Sequence, residues 1–149
     1  HFQSMRRMLP EMDKGLSALI NDLSERGLLD NTIVWWSGEF GRTPRIDWSP
    51  PYNGGRNHHG AVFSALLAGG GFKGGTVIGS SDAKGETVRE RPVYPHDLMG
   101  SIYQMLGIDL ASRLPHPDGI EIPLIPETGG QIKSGELLTE IMPTAGGAI

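Results

Sequence analysis

Apolar residues recur at three- and four-residue spacing through the first two dozen positions: Met5, Met8, Leu9, Met12, Leu16, Leu19, Ile20 and Leu23. Wound at the α-helical period they share one face, so the pattern predicts an amphipathic helix over residues 4–26. Pro10 lies inside that pattern, where it either kinks the helix or marks the first turn of a second one. Gly27, after Glu25 and Arg26, suits a cap. The period then changes. A short connection, Leu28-Leu29-Asp30-Asn31, leads to the apolar run Thr32-Ile33-Val34-Trp35-Trp36, which predicts a buried strand over 32–37. Helix, short turn and apolar strand in that order form an α/β signature.

Val62 to Ala68 predicts another buried strand, stopped by Gly69-Gly70-Gly71, and Thr76 to Gly79 a short one. Ser80 to Arg91 is polar and reads as a loop or hairpin with Lys84-Gly85 at its tip. Pro95-His96-Asp97 opens a second helix, about 96–106. Leu98, Ile102, Met105 and Leu106 share its face, and Gly107 ends it. Beyond Ile108, prolines at 115, 117, 123, 126 and 143 forbid long regular elements, so residues 127–149 are expected to form an extended, partly mobile tail. There is no internal repeat.

Composition narrows the classes. At 149 residues the chain is long enough for one domain with a core and short for two. A hydrophobic share of 38% and a charged share of 20% are ordinary for a globular protein, which argues against disorder throughout. The formal net charge of −4, with no dense Lys/Arg cluster, argues against a non-specific nucleic-acid binder. No apolar run approaches the roughly 18–20 residues that span a bilayer. With no cysteine there are neither disulfides nor thiolate metal sites. The 22 glycines, about twice the usual share, mark many tight turns or close approaches. The chain starts with His1 and shows no signal peptide, which suggests a processed or excised piece of something longer.

The chemistry-bearing residues gather between positions 32 and 60. The run 32–37 breaks at Gly38 and delivers Glu39 and then Arg42 to its carboxyl end, the end at which open α/β sheets bind ligands. The segment Gly54-Gly55-Arg56-Asn57-His58-His59-Gly60 follows about a dozen residues later. Glu39 reads as a solvated carboxylate at a strand end, as one paired with nearby Arg42 or Arg45, or as a metal ligand or general base opened to a ligand by Gly38 and Gly41. Adjacent histidines in an extended segment face opposite ways, so only one of His58 and His59 points into a site. The local sequence does not say which; His58 is the favoured one. Arg42 and Arg56 are either surface charges or a clamp for a phosphate or sulfate oxyanion, whose geometry matches the guanidinium fork. The glycines at 69–71 and 74–75 fit neither a dinucleotide fingerprint nor a P-loop, and read as turns. His96 reads as a helix-start residue and His116 as structural. No serine or threonine has a nucleophile-elbow context.

Three blocks, LSALINDLSERGLLDNTIVWWSGEFGRTPRI, GGRNHHGAVFSALLAGGGFKGGTVIGSSD and RPVYPHDLMGSIYQMLGID, in that order, resemble the DUF1501 family over roughly residues 2–125. These are bacterial proteins of unassigned activity, placed in the alkaline-phosphatase/sulfatase-like superfamily. The resemblance implies an α/β/α sandwich with a mostly parallel sheet, of which residues 1–126 would be the carboxyl-terminal portion. It also implies one or two divalent metals (Zn, Ca, Mg or Mn) at the strand ends. Glu39 stands where the superfamily's Asp-His pair would have its Asp, and His58 or His59 where a further His lies downstream. Phe40 stands in place of the pair's His. Asn57 replaces the Asp of the family's usual Gly-Arg-Asp-His. His1 could be the last residue of the family's Trp-Asp-Thr-His segment.

The function so implied is that of a fragment of a metal-dependent hydrolase of phosphate or sulfate esters. Glu39, His58 and His59 would be metal ligands, Arg42 and Arg56 catalytic clamps, and the substrate a small anionic ester. The nucleophile and several ligands would lie upstream. Alone, the fragment would be inactive and would expose sheet edge and apolar surface for the missing amino-terminal half, or another copy, to cover. Family members usually carry export signals, which suggests the periplasm or cell envelope. The alternative is a non-catalytic, envelope-associated binding module, with Glu39 salt-bridged to arginine.

Overall fold

The computed structural model describes residues 2–51, 53–129 and 131–143. The first element, α1 (Phe2–Glu25), runs unbroken past Pro10. Its end is closed by the Leu28 amide on the Leu23 carbonyl (2.8 Å) and the Gly27 amide on Ser24 (3.0 Å), a helix stop at the glycine the sequence marks. A 3-10 turn, Leu29–Asn31, leads into β1 (Ile33–Ser37). Then come β2 (Gly41–Arg42), β3 (His58–His59), β4 (Ala65–Gly69), β5 (Ser80–Ser81) and β6 (Val88–Glu90). The chain continues through α2 (Pro95–Met105), β7 (Arg113–Leu114) and β8 (Ile122–Pro123).

Among the described residues the strands pair as four two-stranded antiparallel sheets: β1 with β4, β2 with β3, β5 with β6 and β7 with β8. The expected α/β/α sandwich with a mostly parallel, alkaline-phosphatase-like sheet is therefore not what these residues form. The reason lies in the connections. A parallel pair needs a crossover of a dozen or more residues, usually a helix. The described residues between β1 and β4 form no helix; the chain folds instead on the small β2–β3 pair and returns antiparallel, with Trp35 opposite Leu67 and Ser37 opposite Ala65. A helix followed by an apolar strand fixes two elements but not the strand's partner.

Two further expectations change. The run 32–37 reads as a buried strand, yet Trp35 and Trp36 are nearly half exposed because β1 and β4 form a single thin ribbon. Thr76 to Gly79 forms no strand, and Val77 is exposed. The polar stretch that follows forms the β5–β6 hairpin, with Lys84 and Gly85 at its tip.

The core sits beside α2. Leu98 and Ile102 meet Phe72, Leu138 and Ile141, and Ile33, Leu67, Ile78, Val93, Met105 and Met142 pack around them. Burial of side chains of this size contributes about 1.5–3 kcal/mol each. The turn that carries Phe72 into place depends on Gly69, Gly70 and Gly71, whose φ values are 72°, 58° and 82°. Three consecutive left-handed residues are costly for any side chain with a Cβ. A Cβ on Gly69 would also overlap the Thr32 carbonyl, and one on Gly70 the Ile33 side chain.

The α2 start is built by Asp97. Its carboxylate accepts the Tyr94 amide (2.8 Å), the reciprocal half of a helix cap, with Pro95 in the first turn. The same carboxylate accepts the Ser134 hydroxyl (2.6 Å) and the Gly135 amide (2.9 Å). One turn on, the fully buried Ser101 hydroxyl donates to the Asp97 carbonyl (2.7 Å) and accepts the Leu138 amide (2.8 Å). Arg91 grips the same segment from the other side, through Glu140 (2.5 and 3.0 Å) and the carbonyls of Leu137 (2.8 Å) and Gly135. Residues 134–142 thus form a strap over α2. They fall within the stretch expected as a tail, of which positions 130 and 144–149 lie outside the described residues.

Candidate functional site

The loop from β2 to β3 is closed by its own polar groups. The Thr43 amide donates to the Asn57 carbonyl (2.8 Å), and the Asn57 amide donates to the Thr43 hydroxyl (3.0 Å). Deeper in the loop, Asp47 and Gly55 form an isolated antiparallel bridge, with the Asp47 amide on the Gly55 carbonyl at 2.7 Å. Gly41 lies so close to the next segment that a Cβ there would overlap the Val62 carbonyl oxygen, so β2 can pair this tightly only with glycine at that point.

Asp47 organises the loop's outer side. Its carboxylate accepts the Ser49 amide (2.8 Å), an Asx-type turn, and the Asn57 side-chain amide (3.0 Å). Hydrogen bonds from the Ser49 amide and hydroxyl, and then from the Asn57 side chain, hold the Asp47 carboxyl below its ordinary value. A carboxylate at position 57 would face Asp47 across a hydrogen-bond distance, where the Asn57 amide makes a contact instead.

The histidine pair divides as β-strand neighbours must. In the β2–β3 pairing, Arg42 is opposite His58 and Gly41 opposite His59. The His58 ring packs on Phe40, with centroids 4.1 Å apart, and the Arg42 guanidinium lies over the same Phe40 ring at 5.5 Å. His59 is half-buried on the other side, with Nε2 2.9 Å from the Glu86 carbonyl oxygen at the tip of the β5–β6 hairpin. A shallow, widely open cleft of about 500 Å³ lies there, lined by Thr43, Pro44, Arg45, Ile46, Asp47, Asn57, His59 and Glu86.

Of the five residues singled out in the sequence, only His59 lines this cleft. His58, the favoured histidine, belongs to the Phe40–Arg42 cluster. Glu39 is exposed, with no hydrogen bond or ion pair among the described residues, so it is not salt-bridged to an arginine. Arg56 turns its fork onto backbone: Nε donates to the Thr43 carbonyl (2.6 Å) and Nη2 to the Arg42 carbonyl (3.2 Å). Arg45, Asp47 and Glu86 are cleft residues that sequence reasoning missed. Asp47-Trp48-Ser49 is the one local signal that could have flagged its carboxylate, as an Asx turn. Glu86 arrives from a hairpin 27 residues beyond His59, and nothing local announces it.

Chemically, the cleft walls are lined by one arginine, two carboxylate residues and a histidine, a set suited to a polar small molecule. A divalent metal fits it less well. Among the described residues no three His, Asp or Glu side chains are arranged to hold an ion. The suggestion that His1 ends a Trp-Asp-Thr-His segment lies outside the described residues. No helix among the described residues is long and apolar enough to cross a membrane.

A family model described as "Protein of unknown function (DUF1501)" covers residues 1–135. No curated protein and no solved structure matches the chain.

Proposed function

Because the chain belongs to the DUF1501 family, we propose that it is part of a hydrolase of phosphate or sulfate esters, with chemistry of the alkaline-phosphatase/sulfatase-like kind. The observation that carries the reading is the convergence of Arg45, Asp47 and His59 on one cleft. Arg45 supplies the charge that an anionic ester needs, and His59 a group able to hold or pass a proton. Arg42 stands over Phe40 with His58, away from the cleft, and is not part of the clamp. Arg56 acts indirectly, by holding the loop that carries Arg45 and Asp47.

Metal dependence in this reading requires donors beyond the described residues, since those present do not form a shell. Glu39 and His59, the histidine that faces the cleft, are the donors this chain would add to ligands from a companion segment or another copy; His58, packed on Phe40, faces away. A periplasmic or envelope location belongs to the same proposal and rests on the family's usual export signals.

The test is metal analysis of the full-length protein, with hydrolysis assays on aryl phosphates and aryl sulfates. The expected result is a stoichiometric divalent metal and a rate that falls about 10²-fold or more in His59→Ala and Glu39→Ala. Metal at background, with both variants at the native rate, would remove the hydrolase reading. One observation favours a second reading, a non-catalytic binding module. Phe40 is packed between His58 and Arg42, so the position that would hold a ligand in the superfamily serves as an aromatic platform.

A further inference from the structure

We propose that the Glu86 carbonyl fixes His59 in the tautomer with its proton on Nε2, leaving Nδ1 as the lone-pair atom His59 presents, and that Asp82 is the positioning residue for this contact. A carbonyl oxygen has only lone pairs to offer, so the 2.9 Å contact exists only if Nε2 donates. A neutral imidazole carries one N–H, and the nitrogen not engaged by the partner is the one free to bind a ligand or accept a proton. Nδ1 has no hydrogen-bond partner among the described residues.

The Glu86 carbonyl is held by a turn built around Asp82. The Asp82 carboxylate accepts the Glu86 amide (2.8 Å) and the Thr87 hydroxyl (3.3 Å). The Asp82 amide donates to the Thr87 carbonyl (2.9 Å), and the Asp82 carbonyl accepts the Gly85 amide (3.0 Å). Every residue from Gly85 to Thr87 is therefore tied to Asp82. The hydrogen bond from the Glu86 amide is also the largest cause of the lowered pKa of the Asp82 carboxyl. This is the arrangement by which a partner of one ring nitrogen orients the other, here with the partner itself 27 residues away from the histidine in sequence.

The inference rests on the hydrolase reading for its use, but not for its truth. Long-range proton–nitrogen correlation on the isotope-labelled full chain reads the His59 tautomer directly, at a pH where the ring is neutral. The native chain is expected to show the Nε2–H form in more than about tenfold excess. Asp82→Ala should relax His59 toward a mixture without changing the His58 signals, and Asp82→Asn, which keeps an acceptor oxygen, should restore the native pattern. A proton on Nδ1 in the native chain would overturn the proposal, and that measurement needs no variant. So would an unchanged tautomer ratio in a folded Asp82→Ala protein. Absent hydrolysis with the expected tautomer would sink the hydrolase reading alone; hydrolysis with the opposite tautomer would sink this inference alone.

Discussion

The two helices share a periodicity and differ in what covers it. Helix α1 has 24 residues, none of them buried; α2 has 11 and buries five. In α1, Met8, Leu9 and Leu19 remain about half exposed, and the main tertiary contact is the 3-10 turn at its end. In α2, Leu98 and Ile102 are under a tenth exposed because the strap 134–142 lies over them, held by Asp97, Ser101 and Arg91. Hydrophobic spacing shows which face of a helix seeks cover. It does not show whether the folded chain supplies it.

Paired truncations should separate the helices most strongly. Ile102→Ala removes packing from the core and should cost about 2–5 kcal/mol, read as a fall in the unfolding midpoint. Leu9→Ala on α1 should stay within about 0.5 kcal/mol of the native chain. Similar losses at the two sites would mean that α1 has a packing partner.

Acid should loosen the strap before α1 changes. Burial raises the Asp97 carboxyl's pKa, but hydrogen bonds from Ser134, Tyr94 and Gly135, with His96 close by, hold it below its ordinary value. The hydrogen bond from Arg91 first, then its own backbone and the Arg91 charge, bring Glu140 down to about 2. Groups with depressed folded-state values stabilise fully above the unfolded carboxylate value, and that stabilisation is lost as pH falls through the folded one. Amide exchange at Gly135 and Leu138 should therefore be slow at pH above about 5 and accelerate progressively below about 4. Protection that persists unchanged to pH 2 would place the strap's hold elsewhere.

Pro10→Ala should have the least effect on the folded core. It restores a backbone donor inside α1, where proline costs about 3 kcal/mol relative to alanine, so helical content should rise by circular dichroism. The core's unfolding midpoint should not move. A coupled shift would show that α1 and the core unfold as one unit.

The sequence-based reading places both helices to within two residues at each end, because their apolar stripes are long and their stops are glycines. It also finds β1 and the hairpin tip. It misplaces the sheet, since strand direction depends on where the chain goes next, and residues 38–64 carry no helical pattern to announce a crossover or its absence. The strap was equally hidden. Leu138 and Ile141 stand among prolines and glycines with no period of 2 or 3.6, and they enter the core because Asp97 and Ser101 bind their backbone. At the site, the histidine pair was legible as a pair. Which ring faces the cleft was settled by the β2–β3 register and by Glu86, and neither has a local signature.

Leu138 and Ile141 have a consequence for how the molecule is made. Among the described residues, two of the five buried apolar side chains follow the other three in sequence, so a nascent chain cannot seal this interior until they leave the ribosome. Until then Phe72, Leu98 and Ile102 face water, and chaperones have their longest opportunity to bind.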